Sequence, residues 1–213
     1  MGLLDRLAPR RNDPVSSSVP SASANEPTFA TKALRKFLAA ITARGAPILV
    51  DLGPVVGSNV TFFGETLGCK IFVEALFADI DRHVRQGKID ALPAFLARRF
   101  PQADGSVDGI LCWDLIDYLD RSSAQALAMQ LTRILRPEGA LHGFFGTAQP
   151  RDTRYTKYII VDEVTLKHRP CAAARGRQAI LLNRDIIRLF SGLRVSDSFL
   201  LQNNLREILF RKT

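Results

Sequence analysis

The stretch ILVDLGPVVGSNV, residues 48–60, runs a short apolar segment into Asp51 and then into a turn bounded by Gly53 and Gly57. A continuous apolar run of this length that ends at glycine is the pattern of a parallel strand buried on both faces. Between the two glycines stand Pro54, Val55 and Val56. Pro54 fixes its own φ, removes an N–H and restricts Gly53 before it, and the β-branched Val55 reaches positive φ only at a cost. The turn has the outline of a nucleotide-binding loop and an unusual stiffness.

Reading outward, Val60, Phe63 and Leu67 return at helical spacing, and CKIFVEAL (69–76) is a second buried strand. Strand, helix and strand in under thirty residues make a βαβ unit with a right-handed crossover. ADIDRHV (78–84) reads as helix and GSVDGILCWDLI (105–116) as a strand entered through a polar turn. SSAQALAMQLTRILRPEG (122–139) is a capped helix with Leu127, Leu131, Ile134 and Leu135 inward, ended by Pro137 and Gly139, and ALHGFFG (140–146) is the next strand. The slot between 89 and 104 holds IDALPAFLARRF, more helical than extended, and no strand is assigned there.

Upstream, Leu34, Phe37, Leu38 and Ile41 share a helical face that Gly45 terminates. After residue 147 the pattern changes. YTKYIIVDEVTLKHR (155–169) alternates as an inserted strand or hairpin, and NRDIIRLFSG (183–192) is a helix with Asn183 as N-cap. LRVSDSFLL and LREILFRK, joined by Gln202, Asn203 and Asn204, form an antiparallel pair. The expected fold is α/β: a Rossmann-like, doubly wound, mostly parallel sheet with a C-terminal antiparallel β hairpin. The domain runs over 29–213 with an insertion at 148–178, behind an N-terminal tail, 1–28. Within the tail, residues 12–27 are too rich in Ser, Pro, Ala and Asn to offset their ordering entropy and read as disordered.

The composition narrows the function. The chain has 213 residues and a net charge of +8, and residues 151–213 hold thirteen basic against six acidic side chains. Lys167, Arg169, Arg175 and Arg177 crowd into LKHRPCAAARGR (166–177), a solvated basic loop or an attractor for an anionic substrate or nucleic acid, although no nucleic-acid motif accompanies it. No apolar run is long enough to span a membrane and no secretory signal is present, so a cytoplasmic protein is expected. Cys69, Cys112 and Cys171 are scattered and the three histidines are isolated, so neither disulfides nor a metal site are expected. Leu3, Leu4 and Leu7 share a face in a segment too short to hold a helix alone, and Arg6 breaks the myristoylation pattern.

In doubly wound sheets ligands bind beyond the carboxyl ends of the strands. Asp51, Glu74 and Asp114 each fall at such an end, and Glu74 lies 23 residues after Asp51, the distance at which an acid meets ribose hydroxyls. Here the chain resembles the class I S-adenosylmethionine-dependent methyltransferases. The likeness runs from about residue 30 to 213 through VDLGPVVG, IFVEAL, SVDGILCWDLIDYL, LTRILRPEGALHGFF and the closing LLNRDIIRLFSGLRVSDSFLLQNNLREILFRK. The family loop is an acid followed by x-Gly-x-Gly-x-Gly; Asp51, Gly53 and Gly57 match it, and Val55 replaces the middle glycine.

The resemblance implies S-adenosylmethionine as cofactor, with Asp51, Gly53 and Gly57 at its methionine end, Glu74 on the ribose, and Cys112 to Leu115, including Trp113 and Asp114, as a wall. It implies methyl transfer and says little about the acceptor; the expected acceptor site is the insertion at 148–178, with Tyr155, Tyr158, Arg169 and Arg177 as candidate contacts suited to an anionic or planar group. No catalytic base is assigned: His142 and His168 lack a nearby partner in sequence and read as structural. Trp113 and Tyr118 read first as packing residues, and Asp117 and Asp120 as caps of local turns. The degenerate loop leaves a rival open, a catalytically inactive methyltransferase-fold protein acting as a binding or scaffold module. A nicotinamide-dependent oxidoreductase is disfavoured by the missing G-x-G-x-x-G.

Overall fold

The computed structural model describes residues 26–149, 153–178 and 180–213. The expectations placed on the first 25 residues, disorder and a leucine-bearing tail, lie outside them. The chain builds β1 (Thr28–Ala30), α1 (Leu34–Thr42), β2 (Ile48–Asp51), α2 (Gly57–Thr61), β3 (Lys70–Val73), α3 (Leu76–Arg85), α4 (Leu92–Leu96) and β4 (Val107–Trp113). Then follow α5 (Arg121–Ile134), β5 (Leu135–Gly146), β6 (Arg154–Asp162), β7 (Thr165–Ala172), α6 (Asn183–Leu189), β8 (Arg194–Leu200) and β9 (Leu205–Arg211).

Six strands form the central sheet in the order β3-β2-β4-β5-β9-β8. β3, β2, β4 and β5 run parallel, and β9 pairs antiparallel with both β5 and β8. This is the mixed α/β, mostly parallel sheet expected, closed by the antiparallel C-terminal hairpin. Strand order reverses between β2 and β4, the crevice at which such sheets bind ligands.

Apolar side chains on the two faces of the sheet pack into two cores. Leu34, Phe37, Leu38 and Ile41 of α1 are all buried, as their spacing requires, and lie on one face with Leu49 and Phe63. Helices α3 to α6 cover the other face, where Leu76, Ile80, Leu127, Leu131 and Phe190 meet Val50 and Ile110. The slot at 89–104 is a 3-10 turn, Ile89–Ala91, followed by α4, so β3 is the edge of the sheet on that side.

Three local expectations are corrected. Helix α5 ends at Ile134, and Pro137 and Gly139 lie inside β5, where a register shift between Val107 and Gly109 of β4 accommodates them. Asn183 is the first residue of α6, whose N-cap is Leu182 with no side-chain bond. The helix after Gly57 ends at Thr61 and continues as a π-helical turn, Phe62–Thr66.

The inserted segment is a hairpin, β6 with β7, and β1 joins it as a third antiparallel strand. This small sheet packs through Tyr158, Ile160 and Leu166 on the α1 face. Among the described residues no helix is long and apolar enough to cross a membrane.

Candidate functional site

Asp51 ends β2 and is 3% exposed. Its Oδ1 accepts from the Gly53 N–H (2.8 Å) and from the Trp113 indole N–H (2.6 Å). Burial pushes its carboxyl up to about 6, against the opposing pull of the Trp113 and Gly53 bonds. The backbone ties the neighbouring strand ends to it: Glu74 N–H donates to Asp51 O at 2.8 Å and Leu52 N–H to Leu111 O at 3.0 Å. A Cβ on Gly53 would sit 2.7 Å from Trp113 Cδ1, so glycine is required there by the indole that covers it. Gly57 opens α2, with nothing within 4 Å of a Cβ placed on it. Val55, 63% exposed, turns outward and does not plug the crevice.

The crevice is filled from β4 and β6. Trp113 ends β4 with φ +49°, a left-handed conformation costly for a bulky side chain, and is 2% exposed. Its ring stacks on Tyr158 of β6 at 5.0 Å and 6°, and Tyr158 stacks on Phe144 at 5.0 Å and 25°. Trp113 is thus packed, and Tyr118, 2% exposed, meets Phe77 edge-on at 5.1 Å. Asn59 of α2, 2% exposed, fixes the outer edge of β6: its amide donates to Tyr158 O and its carbonyl accepts from Ile160 N–H, both at 2.8 Å. The glycine loop and the insertion are therefore one packed unit.

Glu74 follows β3 with both carboxylate oxygens engaged. Arg99 Nη1 donates to Oε2 at 2.6 Å and Gln102 Nε2 to Oε1 at 3.1 Å, while Arg99 Nε reaches Asp79 at 3.1 Å. Arg99 and Gln102 carried no sequence signal, because they follow α4 in a turn without periodicity.

At the end of β4 and the turn beyond it, Asp114 (0% exposed) and Asp117 (2%) face Arg177 of the inserted segment. Arg177 Nη2 donates to Asp114 Oδ2 at 3.1 Å, and its Nε lies 3.5 Å from Asp117 Oδ2. Asp117 also accepts from Gly146 N–H at 2.6 Å. Burial drives both carboxyls up, Asp117 to about 7, with Arg177 opposing. The Tyr158 hydroxyl adjoins Asp114, and burial first and then that carboxylate push it well above the usual phenol range. Asp120 caps α5 through Ser123 N–H as expected; Asp117 is a buried carboxylate instead of a turn cap.

The other positions separate. Tyr155 stacks on Phe77 at 4.4 Å, and Arg169 pairs with Glu26 at 2.5 Å on an exposed edge. Arg175 adjoins Asp120, so three of the four basic residues of 166–177 have internal carboxylate partners. His142 is fully buried, with Nε2 2.8 Å from Glu207, a partner 65 residues away. His168 packs between Phe29 and Tyr158, and burial lowers it to about 4. Away from the crevice, a groove of about 870 Å³ runs between α5 and α6, lined by Leu119, Ala124, Met129, Leu181 and Leu189.

No protein-family model and no curated protein sequence matches the chain. Among solved structures it is similar to the PH0226 protein of Pyrococcus horikoshii, at 14% identity and a TM-score of 0.52, over 84% of this chain and 88% of that one. It is also similar to a SAM-dependent methyltransferase of Aquifex aeolicus, at 12% identity and a TM-score of 0.50, over 84% and 89%. The chain has the class I S-adenosylmethionine-dependent methyltransferase fold. S-adenosylmethionine is the cofactor of that class. The donor set here, Asp51, the Gly53 turn and Glu74, has the right chemistry for it. The space does not fit as the side chains stand: Trp113 covers Gly53, and Arg99 and Gln102 take both oxygens of Glu74.

Proposed function

We propose that the chain is an S-adenosylmethionine-dependent methyltransferase whose crevice is closed by its own side chains and opens when β6 withdraws Tyr158 and Trp113 turns off Gly53. The observation that carries this reading is the position of Asp51, buried at the strand-order reversal between β2 and β4 beside a tight glycine turn. Asp51 and the Gly53 turn would meet the polar end of the cofactor. Glu74 would hold its ribose once Arg99 releases it.

Calorimetric titration with S-adenosylhomocysteine tests the reading on the wild-type chain and Tyr158→Ala. A ligand that binds only the open state loses apparent affinity in proportion to the closed fraction. Heat is expected in both proteins, with tighter binding in the variant. Absence of heat in both at millimolar ligand overturns the reading.

The engagement of Glu74 by Arg99 and Gln102 favours a second reading, a non-catalytic binding or scaffold module. Under it neither protein binds, because the acid is a permanent part of an ion cluster joining β3, α3 and the turn after α4.

A further inference from the structure

Two buried carboxyl groups, Asp114 and Asp117, receive a single guanidinium, that of Arg177, at the ends of β4 and β5. Two acids face one guanidinium, and among the described residues Asp114 Oδ1, the Tyr158 hydroxyl beside it, Asp117 Oδ1 and Arg177 Nε are buried without a hydrogen-bond partner. Burying polar atoms without partners is costly, so the arrangement is not explained as an optimised internal salt bridge. The surroundings suit a flat cation. The Tyr118 ring centroid lies 6.0 Å from Arg177 Cζ, and a Cβ on Gly146 would fall 3.1 Å from Cζ and 3.0 Å from Asp117 Oδ2. Gly146 therefore leaves the width of a guanidinium between β5 and Asp117.

The segment that delivers Arg177 lies outside any helix or strand. It is held by Gln178 N–H on Asp117 O (2.7 Å) and by Ala174 N–H on Asp81 (2.9 Å).

We propose that this cluster is the acceptor subsite and that Arg177 is an internal stand-in for its ligand, a guanidinium-bearing acceptor that displaces the arginine and bonds to Asp114 and Asp117. The proposal rests on the methyltransferase reading and names the substrate class of that same site. With Arg177 displaced, the two acids that face its place favour a cation over the anion that Arg177 alone suggests. Asp114 and Asp117 supply the recognition, Tyr118 a π face and Gly146 the clearance.

The test uses the full chain and binding alone, so its outcome is independent of cofactor binding. Methylguanidine is titrated into the wild-type protein and followed by amide hydrogen exchange; a blocked Gly-Arg-Gly peptide in a parallel arm distinguishes a protein-borne arginine from a free small molecule. Saturable binding is expected, with exchange at Ala174 and Gln178 rising at least tenfold as the segment is released. Asp114→Asn/Asp117→Asn should abolish the response, while urea, the same shape without charge, should give none. In Arg177→Ala, methylguanidine should bind at least tenfold more tightly than in wild type and raise the melting temperature. Rescue of Arg177→Ala without any change in the wild-type protein would overturn the proposal, since Arg177 would then be a fixed structural counter-ion. Absence of binding in both proteins would overturn it too. Methylguanidine binding in a protein that fails to bind S-adenosylhomocysteine would leave the cation site standing and remove only the methyl-transfer reading.

Discussion

At the scale of single residues, the charge state of Asp51 decides what closing the crevice costs. Its carboxyl titrates near 6 instead of 3.8 because burial penalises the ionised form more than Trp113 and Gly53 favour it. A pKa raised on folding contributes stability that is full below the unfolded value and is lost as pH rises through the folded one. Between pH 5 and 8 that loss is about 1–1.5 kcal/mol, since a tenfold difference in proton affinity between the folded and unfolded chain is worth roughly 1.36 kcal/mol. Asp51→Asn keeps an Oδ1 able to accept both N–H groups and carries no charge, so its urea midpoint should vary less than wild type across that interval. A variant with the unchanged pH slope would show that Asp51 does not titrate there. In the same protein, binding of S-adenosylhomocysteine should weaken at pH 8, where the carboxylate is needed by the ligand.

At the scale of elements, Asn59 joins α2 to the outer edge of β6, and under the proposed opening it sets how readily β6 withdraws. Asn59→Ala removes two hydrogen bonds and leaves Tyr158 O and Ile160 N–H buried without partners, a cost of about 2–6 kcal/mol at roughly 1–3 kcal/mol per stranded group. Exchange of the Ile160 amide should accelerate while the amides of β4 keep their protection; an unchanged Ile160 would mean that β6 is held by its strand pairing and apolar face alone. The elements themselves were legible in sequence wherever a local period carried them. The four apolar residues of α1, the run into Asp51, and the two C-terminal strands all follow from spacing. What fills the site was not legible, because it depends on partners far apart in the chain: Arg99 on Glu74, Arg177 on Asp114, and Tyr158 on Asn59, 99 residues away. Val55, the residue that made the loop look spoiled, faces solvent, and the obstruction comes instead from Trp113.

For the whole molecule, buried acids of opposite tendency shape stability against pH. Glu207 of β9 accepts from the Thr31 hydroxyl, from Lys32 N–H at 2.7 Å and from His142, joining the β1–α1 connection to the sheet. Burial alone would raise its carboxyl, but His142, Thr31 and Lys32 together hold it below its ordinary value of 4.5. That contribution is present above the ordinary value and is lost as pH falls. Asp51 and Asp117, raised to about 6 and about 7, contribute in the opposite sense and lose their share as pH rises through those values. The wild-type urea midpoint should therefore be highest near about pH 4, around the unfolded carboxyl values, and fall as pH rises from there to about 7. Glu207→Gln should flatten the acid side and lower stability above about pH 4.5 by about 1–3 kcal/mol, the cost of leaving a buried group without its hydrogen-bond partner. Its effect should extend to exchange in α1, since residues 31 and 32 lose their anchor. A midpoint that climbs steadily from pH 5 to 8 would show that Asp51 and Asp117 are ionised in the fold at neutral pH, and the closed crevice would then carry two fully charged, buried carboxylates at its rim.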